Sequence, residues 1–198
     1  MFTARRAFRR GFTLVEALVS TSIIAITGSA LLLGISSSLK TTDDILDQAL
    51  AAGMAQTMMG EIAGKMYCGD PSVPYQYPLG PSGYELGSIC RERYDDIDDY
   101  NGVSNQPPKD YWGAALGADD GQGGNRDPNF RIHSNYFANW QQTATVYYLN
   151  PTNLALALPA GQTSDYRAAE VKVYFKDPQR GSRLLTTLRR VFTYVPPQ

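Results

Sequence analysis

The sequence predicts an α+β fold, with a long N-terminal helix laid across a C-terminal antiparallel sheet. Three observations carry this reading. Residues 12–39 hold a single ionisable side chain, Glu16. Apolar residues at helical spacing continue to Met66. Beyond residue 142, three segments rich in β-branched and aromatic residues alternate with turn sequences. The length of 198 residues suits one domain with a core of its own. A formal net charge of -1 gives no general argument for nucleic acid as a partner. One His, His133, and two Cys exclude a His-based or Cys-rich metal centre and leave a Cys nucleophile without a nearby imidazole.

The order of the charges says more than their sum. Arg5, Arg6, Arg9 and Arg10 precede an apolar run from Phe12 to Ile35, and no further basic residue occurs before Lys40. The run of 24 residues spans roughly 36 Å as a helix, against a hydrocarbon core of about 30 Å. The flanking arginines predict a cytoplasmic N-terminus and an exported C-terminus. Serine and threonine hydroxyls inside the run are compatible with this, since each can bond a preceding helical carbonyl. Gly28 and Gly34 permit close approach of a second helix. Glu16 is the residue that demands a partner, because an ionised carboxylate in lipid is costly.

The segment Arg9-Arg10-Gly11-Phe12-Thr13-Leu14-Val15-Glu16-Ala17-Leu18-Val19 resembles the leader of type IV prepilins and type II secretion pseudopilins. The resemblance implies cleavage after Gly11 by a prepilin peptidase, which also N-methylates the new terminal Phe12. It implies that Glu16 is the acid used in subunit register and incorporation, pairing with the Phe12 amine of a neighbour. The leader, residues 1–11, carries no acid; without it the chain has 187 residues, 14 basic and 19 acidic groups, and a net charge of -5. An ordinary secretory signal would be cut near Gly28-Ser29-Ala30, and Arg5-Arg6-Ala7-Phe8 echoes part of a twin-arginine signal. Neither alternative explains Gly11-Phe12 followed by Glu16.

Residues 36–66 read as an amphipathic continuation of the helix, with Leu39, Leu46, Leu50, Met54, Met58, Ile62 and Met66 mainly at four-residue steps. The Met-rich stripe is assigned to core packing. Thr41-Thr42-Asp43-Asp44 marks an expected cap or irregularity, with a bend near 36–44. Helix and continuation together reach about 75 Å.

Residues 67–142 form the expected variable region. The stretch 69–83 is dense in Pro and Gly and excludes a regular element. Cys68 and Cys90 flank it, and in an exported domain two cysteines are expected to pair. Asp95, Asp96, Asp98 and Asp99 crowd into five positions before Tyr100-Asn101-Gly102, and resemble the acidic segment that pilin-like proteins carry after their helix. A second oxygen-rich loop holds Asp119, Asp120 and Asp127. Calcium is the cofactor these loops raise, since it takes six to eight hard oxygens, although neither has the closing Glu of an EF-hand. Solvated turns are the default reading, and no other cofactor is expected. Trp112 and Trp140 are candidates for a sugar-binding surface or for core and interface packing.

The sheet is expected over 143–198. Thr143–Leu149, Ala169–Phe175 and Leu184–Val195 are its strands, and Val171, Val173 and Phe175 share one face. Lys172 and Lys176 fit the solvated face and are expected to discourage edge pairing.

The expected function is structural: a minor pilin or pseudopilin in a type IV pilus-like or type II secretion filament, at its tip or in priming its assembly. Its expected partners are other pilin subunits, the prepilin peptidase and N-methyltransferase, the inner-membrane assembly platform and the lipid bilayer. Its expected location is the inner membrane of a Gram-negative bacterium, single-pass, with the C-terminal domain in the periplasm. The alternative is a membrane-anchored exported protein that binds glycan, calcium or a protein partner without polymerising. No nucleophile, base and oxyanion arrangement supports an enzyme.

Overall fold

The computed structural model describes residues 12–87, 90–133, 135–179 and 181–196. Gly11 and the arginines before it lie outside them. The chain forms two compact units that meet between Leu46 and Asp47.

Helix α1 runs from Leu14 to Ala63. The irregularity expected at Thr41–Asp44 does not occur. Neither Pro nor Gly interrupts that stretch, and the Thr41 and Thr42 hydroxyls donate to the Ser37 and Ser38 carbonyls at 3.0 Å each. These residues therefore satisfy their polar groups without leaving the helix. The helix stops three residues short of Met66. The Gly64 N–H is shared between the Gly60 and Glu61 carbonyls at 3.1 Å, and the Lys65 N–H closes on the Ile62 carbonyl.

Only the middle of the expected stripe is buried. Met54, Met58 and Ile62 enter the core with Ala51, Ala55 and Met59, whereas Leu39, Leu46 and Met66 are more than half exposed. The reason is geometric. A row at four-residue steps drifts about 40° around a helix per step, so a row from 39 to 66 winds off any one face.

The sheet is antiparallel throughout, in the order β1 (Val103–Asn105), β2 (Trp140–Asn150), β4 (Tyr166–Asp177), β5 (Gly181–Thr193). A short strand β3 (Asn153–Ala157) folds back on the end of β2. The β2–β4 register runs from Trp140 opposite Phe175 to Tyr148 opposite Arg167. Between β4 and β5 the register slips once: Thr186 faces Val173 and Leu184 faces Tyr174, leaving Leu185 as the extra residue of a bulge. Lys172 does sit on a partly solvated face, beside Glu170. Its strand, however, is flanked by β2 and β5 and offers no edge to protect.

The core lies between the second half of α1 and one face of the sheet. Helix residues Ala51 to Ile62 meet Ala144 and Val146 of β2 and Ala169, Val171 and Val173 of β4. Trp140, Phe137, Ile97 and Tyr100 close it from the loops. Trp140 is thus a core residue, edge-on to Phe137 and Phe175. One polar strut crosses the layers: the Gln142 side-chain amide donates to the Met54 carbonyl at 2.9 Å.

Ile62→Ala is expected to lower unfolding free energy by about 2–5 kcal/mol through transfer loss and cavity formation. Met66→Ala should change it by less than about 0.5 kcal/mol. Urea unfolding of the two variants against wild type checks this.

Candidate functional site

The N-terminal unit is helical from Leu14 on, with its large apolar side chains exposed. Among the described residues Phe12, Leu14 and Leu33 are each more than 70% exposed. The most apolar window of α1 has mean hydropathy 2.0 and none of it is buried, so by length and composition the helix can cross a membrane. The hydroxyls inside it are satisfied locally. Ser22 and Thr21 donate to the Leu18 carbonyl, Thr27 to that of Ile23 and Ser29 to that of Ala25, all at 2.8–3.0 Å. A side-chain carbon added at Gly28 or Gly34 would meet nothing within 4 Å.

Glu16 sits at the third position of the helix. Thr13 Oγ1 accepts from the Glu16 N–H at 3.3 Å, and Glu16 Oε2 accepts from the Thr13 N–H at 3.5 Å. This reciprocal capping box satisfies two of the N–H groups that a helix start leaves open. Its carboxylate also stands at the positive end of the helix dipole. Phe12 directly precedes the box.

The acidic turn is a second centre. Asp95, Asp96, Asp98 and Asp99 are brought together, and most of their carboxylates are turned inward rather than to solvent. Asp96 accepts from the N–H groups of Asp98 at 2.8 Å and Asp99 at 3.3 Å through one oxygen, and from the Gly69 N–H at 2.6 Å through the other. Asp99 accepts from the N–H groups of Asp95 and Asp96. Asp98 receives the Arg167 guanidinium at 2.8 Å, with both side chains fully buried. Gln76 donates to the second Asp98 oxygen at 2.8 Å. A Cβ at Gly69 would lie 2.8 Å from Asp95 Oδ1, so a larger residue there would push that carboxylate aside.

Arg167 ties four parts of the chain to this turn. Beyond Asp98 it donates to the Tyr67 carbonyl after the helix, to the Pro74 carbonyl at 3.1 Å in the loop, and to the Tyr148 hydroxyl at 2.8 Å on β2. Its guanidinium also lies over the Tyr67 and Tyr148 rings, at 4.4 and 5.0 Å from their centroids. Sequence reading missed this residue, although a signal was present. Arg167 shares strand parity with Val171 and Val173, so an arginine stood on the inward face and called for a buried acid.

Two three-acid groups are close enough to share a cation among the described residues: Glu85, Asp95 and Asp99, and Asp96, Asp98 and Asp99. In the second, N–H donors and Arg167 already hold most of the oxygens. Asp119, Asp120 and Asp127 lie in neither group. Asp119 accepts from the Gly117 N–H, Asp120 from the Gln122 and Gly124 N–H groups, and Asp127 caps a short turn through the Asn129 N–H. Each closes its own turn.

Cys68 and Cys90 are not joined in a disulfide, which corrects the expected pairing. Cys68 is buried beside Arg167, Asp96 and Asp98, and burial pushes its thiol above the ordinary range. A scarce thiolate is a poor start for exchange. Cys90 lines a small cavity together with Tyr94, Gly102 and Asp110.

Residues 6–32 match the model for the prokaryotic N-terminal methylation motif. No curated protein and no solved structure matches the chain. The motif, the long helix it opens and the antiparallel sheet on which that helix packs are together consistent with the type IV pilin and pseudopilin family. They point to a structural, pilin-type protein.

Burial pushes Asp98 and Asp99 up to about 7, and the adjacent Asp96 carboxylate acts in the same direction. Arg167 opposes the shift at Asp98 without cancelling it. Unfolded aspartate titrates near about 3.9, so between these limits the folded state holds more protons than the unfolded one. For Asp99 this contribution is therefore greatest at low pH and is lost as pH rises toward 7. The urea midpoint is expected to be higher at pH near 5 than near 8 (about two units below and one above that titration), and Asp99→Asn should remove part of that difference.

Proposed function

We propose that this chain is a minor pilin or minor pseudopilin, assembled into a type IV pilus-like or type II secretion filament at its tip or during priming. The observation that carries the reading is the methylation motif over 6–32 running into an exposed apolar stretch, residues 12–39, whose one acid is Glu16. In this reading the leader is removed between Gly11 and Phe12 and the Phe12 amine is methylated. The helix holds the subunit in the inner membrane, with the sheet domain in the periplasm, until it is drawn into the filament. The partners are other pilin-type subunits, the peptidase and methyltransferase, and the inner-membrane assembly platform.

Glu16 has a specific task in this mechanism. In the single chain it caps its own helix. On incorporation it exchanges that role for the Phe12 amine of a neighbouring subunit, where an unmatched charge in low dielectric would be expensive. The two roles separate by substitution, because glutamine can complete a capping box but carries no charge.

Glu16→Gln is expected to insert in the membrane at wild-type levels and to cut recovery in sheared filaments about tenfold or more, as loss of a buried charge pair predicts. Normal incorporation of this variant would remove the proposed role for Glu16. Mass spectrometry of the mature chain should find a methylated Phe12 as the first residue. Recovery with residues 1–11 retained would favour the anchored binding protein instead.

A further inference from the structure

Strand β5 is the long outer edge of the sheet. It has 13 residues, none of them buried, and among the described residues β4 is its sole strand partner. The opposite edge, β1, is three residues long. Beyond the bulge, residues 186–193 pair one for one with β4 and contain neither Pro nor Gly. The Tyr194 N–H donates to the Asp165 carbonyl at 2.8 Å, and alternate residues of an antiparallel ladder bond the neighbouring strand. Phe192, Arg190 and Leu188 therefore direct their backbone groups to β4. Thr187, Arg189, Val191 and Thr193 present theirs outward. A row of open N–H and C=O groups is a template for another strand, and natural edges are usually kept short, covered or broken by proline.

The charge on this edge selects the kind of strand. β5 carries Arg183, Arg189 and Arg190 and no acid. Arg183 reaches Asp47. Arg189 donates to the Tyr147 hydroxyl and the Leu154 carbonyl, and the Arg190 guanidinium lies 5.7 Å from the Phe192 ring centroid. Among the described residues neither Arg189 nor Arg190 forms an ion pair. The acids on the neighbouring strand and its approach are engaged elsewhere, Glu170 with Lys172 and Asp165 with the Tyr75 hydroxyl. Arg189 and Arg190 are exposed, and as successive strand residues they stand on opposite faces of the sheet. Two copies of β5 laid edge to edge would set one basic strand against another, which like charge disfavours.

We infer that the outer edge of β5 is a strand-addition site for an acidic, extended segment of a partner protein. The segment continues the sheet, its backbone meeting the open groups of Thr187, Arg189, Val191 and Thr193. Two adjacent acids in it lie opposite Arg189 and Arg190, one on each face. The arginines thus act twice, against self-pairing and for an acidic partner. The inference is independent of filament assembly, as every residue it uses belongs to the sheet domain.

The test is fluorescence anisotropy of labelled eight-residue peptides with the full chain in phosphatidylcholine nanodiscs, empty nanodiscs subtracted. The probe alternates valine and threonine around two central glutamates. One control carries lysines in place of the glutamates. The other keeps the glutamates and is N-methylated throughout, which preserves its charge and removes its backbone donors. The glutamate peptide is expected to bind saturably, and each control at least about tenfold more weakly. Arg190→Glu should weaken the glutamate peptide about tenfold or more and narrow its advantage over the lysine peptide. Thr187→Pro removes one outward N–H at an exposed edge position, where proline is tolerated, and should weaken binding about tenfold. Circular dichroism confirms that both variants fold. Absence of saturable binding by the glutamate peptide, equal binding of either control, or unchanged binding in folded Arg190→Glu or Thr187→Pro would overturn the inference.

Discussion

The exported domain is organised around one buried ion pair, Arg167 with Asp98. Burying two charges costs several kcal/mol each, and the cost is recovered only when every remaining lone pair and proton finds a partner. The structure nearly meets that demand. The guanidinium, itself carried on β4, reaches the segment just after the helix, the proline-rich loop, the acidic turn and β2. Only its Nε lacks a partner. A loop region of about seventy residues with little regular structure would otherwise close at high entropic cost. Here the Arg167–Asp98 pair fastens it to the sheet beside the β1–β2 pairing, and the acidic run supplies the counter-charge.

Helix α1 meets two different demands along its length. Its first half carries one ionisable side chain, Glu16, and hydroxyls bonded to its own carbonyls, as an environment without water favours. From Ala51 onward its second half is apolar toward the sheet, with Gly53, Gln56, Thr57 and Gly60 exposed. No proline or break separates the halves. What changes is side-chain chemistry alone, so the same backbone can belong to lipid at one end and to a folded domain at the other.

Much of this was legible in the sequence. The fold class, the apolar helix and the three long strands follow from hydropathy period, charge order and β-rich composition. The reach of the core along the helix did not follow, because a four-residue rule of thumb hides the drift of a real helix. The short strands β1 and β3 were invisible, being three and five residues long with no alternation of their own. At the candidate sites, Glu16 stood out because it is the single charge in an apolar run. The acidic cluster stood out too, but its meaning did not: it read as solvated turns or cation ligands until Arg167 appeared opposite it. The pairing of Cys68 with Cys90 failed because composition reports that two thiols exist, not which neighbours hold them.

The extra residue in β5 sets the handedness of a surface. Directly opposed residues of an antiparallel pair share a face. With Leu185 inserted, Arg183 lies opposite Phe175 and reaches Asp47 on the helix, while Leu184 lies opposite Tyr174 and is half exposed. Were Leu185 accommodated in a regular ladder instead, the first four residues of the strand would swap sides, sending the arginine away from the helix and Leu184 toward it. The bulge is therefore what lets a strand with one residue too many keep its sides. Deleting Leu185 would leave the same residues paired, whereas regularising the ladder with Leu185 in place would rewrite which chemistry the domain shows on each side of that corner.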